Sequence, residues 1–209
     1  MDIYFVRHGQ TMGNVARRHQ SEKTELSTLG KEQADAVAEK IYELQPTHLL
    51  SSHLVRALET ARPISQVTGL NIEIIHDVEE LSRPKYLHGH RHFSWRSILY
   101  YLLWFLGVEN KKLAGESYAR VRQRVAMVQN ILKRYPDDAR VVVVSHSVFM
   151  NLFLAHMCRP QPLFILSATK FFFSIIKIPN TKVIRVVYSP EVKGVCQWQQ
   201  VVDPVFPKE

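Results

Sequence analysis

The sequence predicts a three-layer α/β/α sandwich on a mostly parallel central sheet, with one antiparallel strand and a small cap insertion. Three observations point there. Short β-branched and aromatic runs alternate with longer segments whose apolar residues recur at a helical period. The run Arg140 to Val144 (RVVVV) is apolar throughout after its arginine, as a central strand covered on both faces must be. The runs Lys170 to Ile178 and Val183 to Tyr188 flank Asn180 closely enough for a hairpin, which supplies the antiparallel strand.

The elements follow in order. Asp2 to Val6 is a short apolar strand. Ser27 to Leu44 carries Leu29, Ala34, Val37, Ala38, Ile41 and Leu44 on one helical face, with Ser27 as N-cap and Pro46 as stop. Thr47 to Ser51 is a second strand. Leu54 to Thr68 reads as a helix that Pro63 kinks and Gly69 closes. Asn71 to Ile75 is another strand, and Glu116 to Tyr135 a long helix ended by Pro136. Val148 to Met157 is helical up to Pro160. Val78 to Gly115 breaks this rhythm, being rich in His, Arg and aromatics, and reads as a cap insertion within a single domain over residues 1–209.

Bulk properties narrow the class. A chain of 209 residues with 46% apolar and 22% charged residues can bury a full core and reads as soluble and globular. A formal charge of +8 favours anionic partners. The basic groups at Arg17-Arg18, Arg83-Lys85, Arg91-Arg96 and Lys111-Lys112 are dispersed, so a phosphorylated small molecule is expected and nucleic acid is not. Cys158 and Cys196 are too few for a disulfide framework and lack metal-knuckle spacing, which favours a reducing compartment. Asp2 precedes a run of only four apolar residues before Arg7, too short for a signal core, so a cytoplasmic setting is expected. The run Ile98 to Leu106 (ILYYLLWFL) is far shorter than the ~20 residues of a membrane span. It reads as a buried cap helix over the site, with a membrane-surface or homodimer role as the alternative.

In open α/β sheets, ligands bind beyond the carboxyl ends of the strands. Those ends carry Arg7-His8-Gly9, then Ser51-Ser52-His53 with Arg56 one turn on, then Glu79-Glu80, then Ser145-His146-Ser147. Two arginines, two histidines and a carboxylate therefore converge on one rim. His88, His90 and His92 lack a companion set of acids or cysteines, so neither a metal nor any other cofactor is expected.

Five segments in order resemble the histidine phosphatase superfamily, in its phosphoglycerate-mutase-like branch. They are VRHGQTMGN, TELSTLGKEQA, SSHLVRALETA, AGESYARVRQRV and VVVVSHSVFMNLFL. Ser27 stands where the second usually has Thr. The resemblance implies a metal-independent phosphoric monoester hydrolase with His8 as nucleophile. Arg7, Arg56 and His146 would hold the phosphoryl group, helped by the N–H of Ser147, and Asn14 and Thr11 would line the pocket. Such roles suit the chemistry, because a phosphoryl group in transfer carries charge that fork-shaped guanidinium groups match. The general acid falls on Glu80, two residues after the apolar Val78 and in a Glu-x-x-Arg-Pro register, with Glu79 as the fallback. Arg83 could receive a second phosphate or an acidic tail. Gly9, without a side chain, is expected to let the ring approach the phosphate. The alternative within the family is phosphoglycerate-mutase-type transfer, and a third reading is a non-catalytic binder of phospho-ligands or nucleic acid. The substrate itself is not legible.

Overall fold

The computed structural model describes residues 1–92, 94–107, 115–159, 161–163, 178–191 and 196–206. Six strands form one sheet: β1 (Asp2–Arg7), β2 (His48–Ser51), β3 (Ile72–Ile74), β4 (Arg140–Ser145), β5 (Val183–Tyr188) and β6 (Trp198–Val201). Their order across the sheet is β3-β2-β4-β1-β5-β6. Strands β3, β2, β4 and β1 pair in parallel, while β5 runs against both β1 and β6. The expected antiparallel strand is thus β5, which pairs with β1 and β6. Residues 170–177 of the expected hairpin arm lie outside the described residues, and β6 was not anticipated.

Helices cover both faces, and the alternation of side chains along the strands explains why. Tyr4, Val6, Leu49, Val142 and Val144 point to one face, where they pack with α2 (Thr28–Glu43) and α3 (Val55–Thr68) through Val37, Ala38, Ile41, Ala57, Ala61 and Ile64. Ile3, Phe5, Leu50, Val141 and Val143 point to the other, against α5 (Tyr118–Leu132) and α6 (Ser147–His156) through Val121, Val125, Phe149 and Phe153. The RVVVV run is central because each valine finds a core on its own side. Helix α3 continues through Pro63, and Gly69 closes it at a φ of 71°.

A short helix, α1 (Met12–Val15), opens the loop after β1, and α4 (Trp95–Phe105) lies within the segment expected to be a cap. Helix α4 corrects an expectation. Ser97, Tyr101 and Trp104 are buried, but Trp95, Ile98, Leu99, Leu102, Leu103 and Leu106 are exposed. The run is apolar on two faces, and among the described residues only one of them is covered.

The cysteines give a second correction: Cys158 and Cys196 form a disulfide across 38 residues, with Cα atoms 5.2 Å apart. Spacing in sequence could not show that the end of α6 lies beside the start of β6. The pair removes the cysteine-based support for a reducing compartment. No described helix is long and apolar enough to cross a membrane.

The loop after β1 is clamped onto the start of α2. Ser27 caps that helix by accepting from Gly30 N at 3.1 Å, and its own N–H donates to the Gln10 carbonyl at 2.8 Å. A side chain on Gly30 would lie 2.0 Å from the Gln10 oxygen, and one on Gly9 would lie 2.4 Å from the Gly30 oxygen. Gly9 therefore answers to the packing of two backbones. Gly30→Ala should destabilise the fold by about 3 kcal/mol, the upper end for overpacking. A urea midpoint unchanged from wild type would show that the loop can yield.

Candidate active site

The parallel strands deliver their carboxyl ends to one rim. Arg7 pairs with Ser145, and Ser51 with Val144, so the segments after β1, β2 and β4 start level with one another. Beyond them lies a cavity of about 490 Å³. Arg7, His8, Asn14, Arg56, Glu80, Arg83 and Ser147 line it, as does a second set that sequence reasoning missed: Arg17, Arg18, His19, Gln20, His92, Tyr101 and Asn180.

His8 is 3% exposed, and its Nδ1 lies 2.7 Å from the Gly9 carbonyl. A carbonyl only accepts, so Nδ1 carries the proton and Nε2 keeps its lone pair. Burial, and then the charges of Arg56 and Arg7, hold the imidazole pKa well below the ordinary 6.5. The ring is consequently neutral at pH 7, as an attacking nitrogen must be.

His146, fully buried, sits 5.1 Å from His8 between ring centres, and its Nε2 is 2.9 Å from the Ser52 hydroxyl. Burial is again the main cause that lowers its pKa well below 6.5, with Arg56 next. Its position as N-cap of α6 places Ser147 at the first turn of that helix.

Arg56 stands in the first turn of α3, 3% exposed, with Nη1 donating to the Ser21 carbonyl at 3.0 Å. Arg7 donates to the Ile178 carbonyl. Burial lowers both guanidinium pKa values to about 10, and Glu80 opposes that shift. Both stay charged at neutral pH. Nε of Arg7, Nε of Arg56 and Nδ1 of His146 are buried without a hydrogen-bond partner among the described residues. Each such group costs about 1–3 kcal/mol if left unpaired.

Glu80 lines this cavity, while Glu79 turns away: its carboxylate lies 3.5 Å from His53 Nε2 and 3.9 Å from Arg124 Nη1. Ser145 helps hold this segment by donating to the Val78 carbonyl at 2.6 Å. Arg83 donates from Nε to the Tyr101 hydroxyl at 2.6 Å, which ties the cap helix to the pocket wall.

Asn14 and Thr11 are brought to the same loop, but differently. The Asn14 Oδ1 accepts from Thr11 N, Thr11 Oγ1 and Asn180 Nδ2 at 3.0–3.1 Å. Thr11 is fully buried and spends its hydroxyl as the cap of α1, accepting from Asn14 N at 3.1 Å. Asn180 also donates to the His8 carbonyl at 3.0 Å. Its sequence signal, a turn asparagine, gave no hint that it would reach the first strand.

Titration of the buried histidines should set the acid limit of stability. Burial pushes His19 down to about 2 as well. Below pH 6.5 the unfolded chain binds protons that folded His8, His146 and His19 refuse. Stability is therefore full above that pH and falls as pH drops, by about 1.4 kcal/mol per pH unit for each histidine. Urea unfolding at pH 7 and pH 5.5 checks this, and His146→Gln should make the fall shallower. A flat profile would mean that the histidines protonate freely in the folded state.

Known proteins place these features in a family. The profile of the histidine phosphatase superfamily (branch 1) matches residues 3–200. A probable phosphoglycerate mutase, GpmB of Erwinia tasmaniensis, is 28% identical over 163 residues, covering 74% of each chain. The Escherichia coli protein of that name is 30% identical over 158 residues, covering 72% of each. A mycobacterial glucosyl-3-phosphoglycerate phosphatase, solved with vanadate (VO3), superposes with a TM-score of 0.74 at 25% identity, over 96% of this chain and 97% of that one. A phosphoserine phosphatase variant from Entamoeba histolytica shares the fold, with a TM-score of 0.74 at 21% identity over 96% and 94% of the two chains. With the rim of histidines and arginines in place and the match running nearly end to end, the chain belongs to the histidine phosphatase superfamily, branch 1.

Proposed function

We propose that this protein hydrolyses phosphomonoesters of small molecules through a phosphohistidine formed on His8. The observation that carries the reading is the state of His8: neutral, with Nδ1–H committed to the Gly9 carbonyl and Nε2 free, in a cavity shared with Arg7, Arg56 and Glu80. In the first step Nε2 bonds to phosphorus and the bond from phosphorus to the leaving oxygen breaks. Glu80 in its acid form gives that oxygen its proton. In the second step the Glu80 carboxylate takes a proton from water, the water oxygen bonds to phosphorus, and the N–P bond breaks. Arg7, Arg56 and His146 stabilise the equatorial oxygens throughout, the largest contribution in phosphoryl transfer. No step requires a metal.

Arginines exceed what one phosphate needs. Arg17, Arg18 and Arg83 line the same cavity, where Glu80 is the sole described carboxylate. A substrate with a second anionic group fits this balance, as in the phosphoglycerates acted on by the relatives' named activities. The same arginines favour a second reading, mutase-type transfer, in which the phosphohistidine returns its phosphate to bound product instead of water.

One assay separates the readings. Purified protein in EDTA is given 3-phosphoglycerate with catalytic 2,3-bisphosphoglycerate, and in parallel an aryl phosphate. Inorganic phosphate release from both supports hydrolysis. Formation of 2-phosphoglycerate without release selects the mutase, and activity abolished by chelation overturns the metal-free mechanism.

A further inference from the structure

The exposed face of α4 is a surface without a partner among the described residues. Trp95, Ile98, Leu99, Leu102, Leu103 and Leu106 recur at helical spacing and are 38–70% exposed. A helix that lies on a globular protein normally turns charges to water on this side. Here the stripe is about 16 Å long at the α-helical rise, and it is continuous enough to mark an interaction surface.

The surroundings choose the occupant. From Arg83 to Gly107 the sequence contains no Asp or Glu, and neither does Met12 to Gln20. Lys85, Arg91 and Arg96 are exposed beside the stripe in sequence, and no described carboxylate pairs with them. Arg17 and Arg18, also exposed, are held against the same region: Arg18 bridges to Arg91, and the N–H of His92 donates to the Arg17 carbonyl at 3.0 Å. Trp95, the most exposed of the apolar set at 70%, begins the helix with the Arg96 guanidinium 5.4 Å from its ring centre. An apolar stripe led by a tryptophan, with Arg96 against its ring and exposed Arg91 just before it in sequence, is the arrangement that inserts into the headgroup layer of an anionic bilayer.

We propose that α4 docks this protein on anionic membrane surfaces, its leucine stripe in the acyl boundary and Arg91, Arg96 and Lys85 among the lipid phosphates. A second copy of the chain fits less well. A two-fold contact sets the same patch against itself, which would bring these cations together with no acid in either segment to answer them. The buried face of the helix carries Tyr101 to the pocket wall, so docking would hold the cavity near the lipid surface. The inference stands apart from the catalytic reading, and its test uses no activity.

The test is flotation of the full chain with vesicles of phosphatidylcholine alone and of phosphatidylcholine with phosphatidylglycerol. Binding to the anionic vesicles should exceed that to the neutral ones by more than about tenfold and fall with added salt. Tryptophan emission should shift to the blue, because Trp104 and Trp198 are already buried and Trp95 is not. Leu99→Glu with Leu102→Glu alters only exposed positions and should abolish binding while leaving the unfolding midpoint in place. Failure of wild type to float with anionic vesicles, or equal flotation of the double variant, overturns the proposal. So does a wild-type dimer that the double variant converts to monomer, which would give this face to a second copy.

Discussion

Replacing His8 with alanine is expected to lower turnover on phosphate esters by about 10⁴-fold or more, the scale on which loss of a nucleophile leaves only binding and electrostatics. The variant keeps Arg7, Arg56 and His146, so it should still bind inorganic phosphate, and calorimetry can show that the pocket is intact. Rapid quenching of the wild type should trap a phosphoenzyme that is labile in acid and stable in base, as a phosphohistidine is. Two outcomes would remove His8 from the role: an alanine variant that turns over at the wild-type rate, or one that still forms the acid-labile species. Burial, and then the two flanking arginines, keep the His8 ring neutral for that attack.

The second large effect concerns the proton. Glu80→Gln should reduce turnover on alkyl phosphates by about 10²–10⁴-fold, the range for a positioned general acid. The loss should be much smaller on nitrophenyl phosphate, whose leaving oxygen needs no proton. Glu79→Gln provides the internal control, since that carboxylate is engaged with His53 and Arg124 away from the cavity. Its variant should retain near-wild-type rates on both ester classes. The opposite pattern, with the alkyl-selective loss at Glu79, would move the acid one residue upstream.

The candidate site was more legible in sequence than the surfaces around it. Arg7, His8, Arg56 and His146 follow strands or open helices whose hydrophobic pattern is local, and a parallel sheet brings such ends together whatever the loops do. Glu80 could be chosen by register but not separated from Glu79 until the chain was seen to turn one carboxylate inward and its neighbour towards Arg124. Gly9 was singled out for clearance towards a phosphate, and only the structure shows that its place also depends on the backbone of Gly30, 21 positions away in sequence. The Thr11 hydroxyl, expected to line the pocket, caps α1 and meets Asn14, a contact no local pattern signalled.

What the amino-acid order determined by itself was the alternation of strand and helix, the residues at the strand ends and hence the chemistry they can perform. Those features depend on contacts within a few positions and on a topology with few alternatives. Tertiary structure alone decided that Cys158 meets Cys196, that Asn180 braces His8 and Asn14, and that α4 buries Ser97, Tyr101 and Trp104 while Trp95, Leu99 and Leu102 stay exposed. Each is a meeting of segments far apart in the chain. A run such as ILYYLLWFL records only that its residues are apolar, and whether protein, lipid or water lies against each side is set by what the rest of the chain places there.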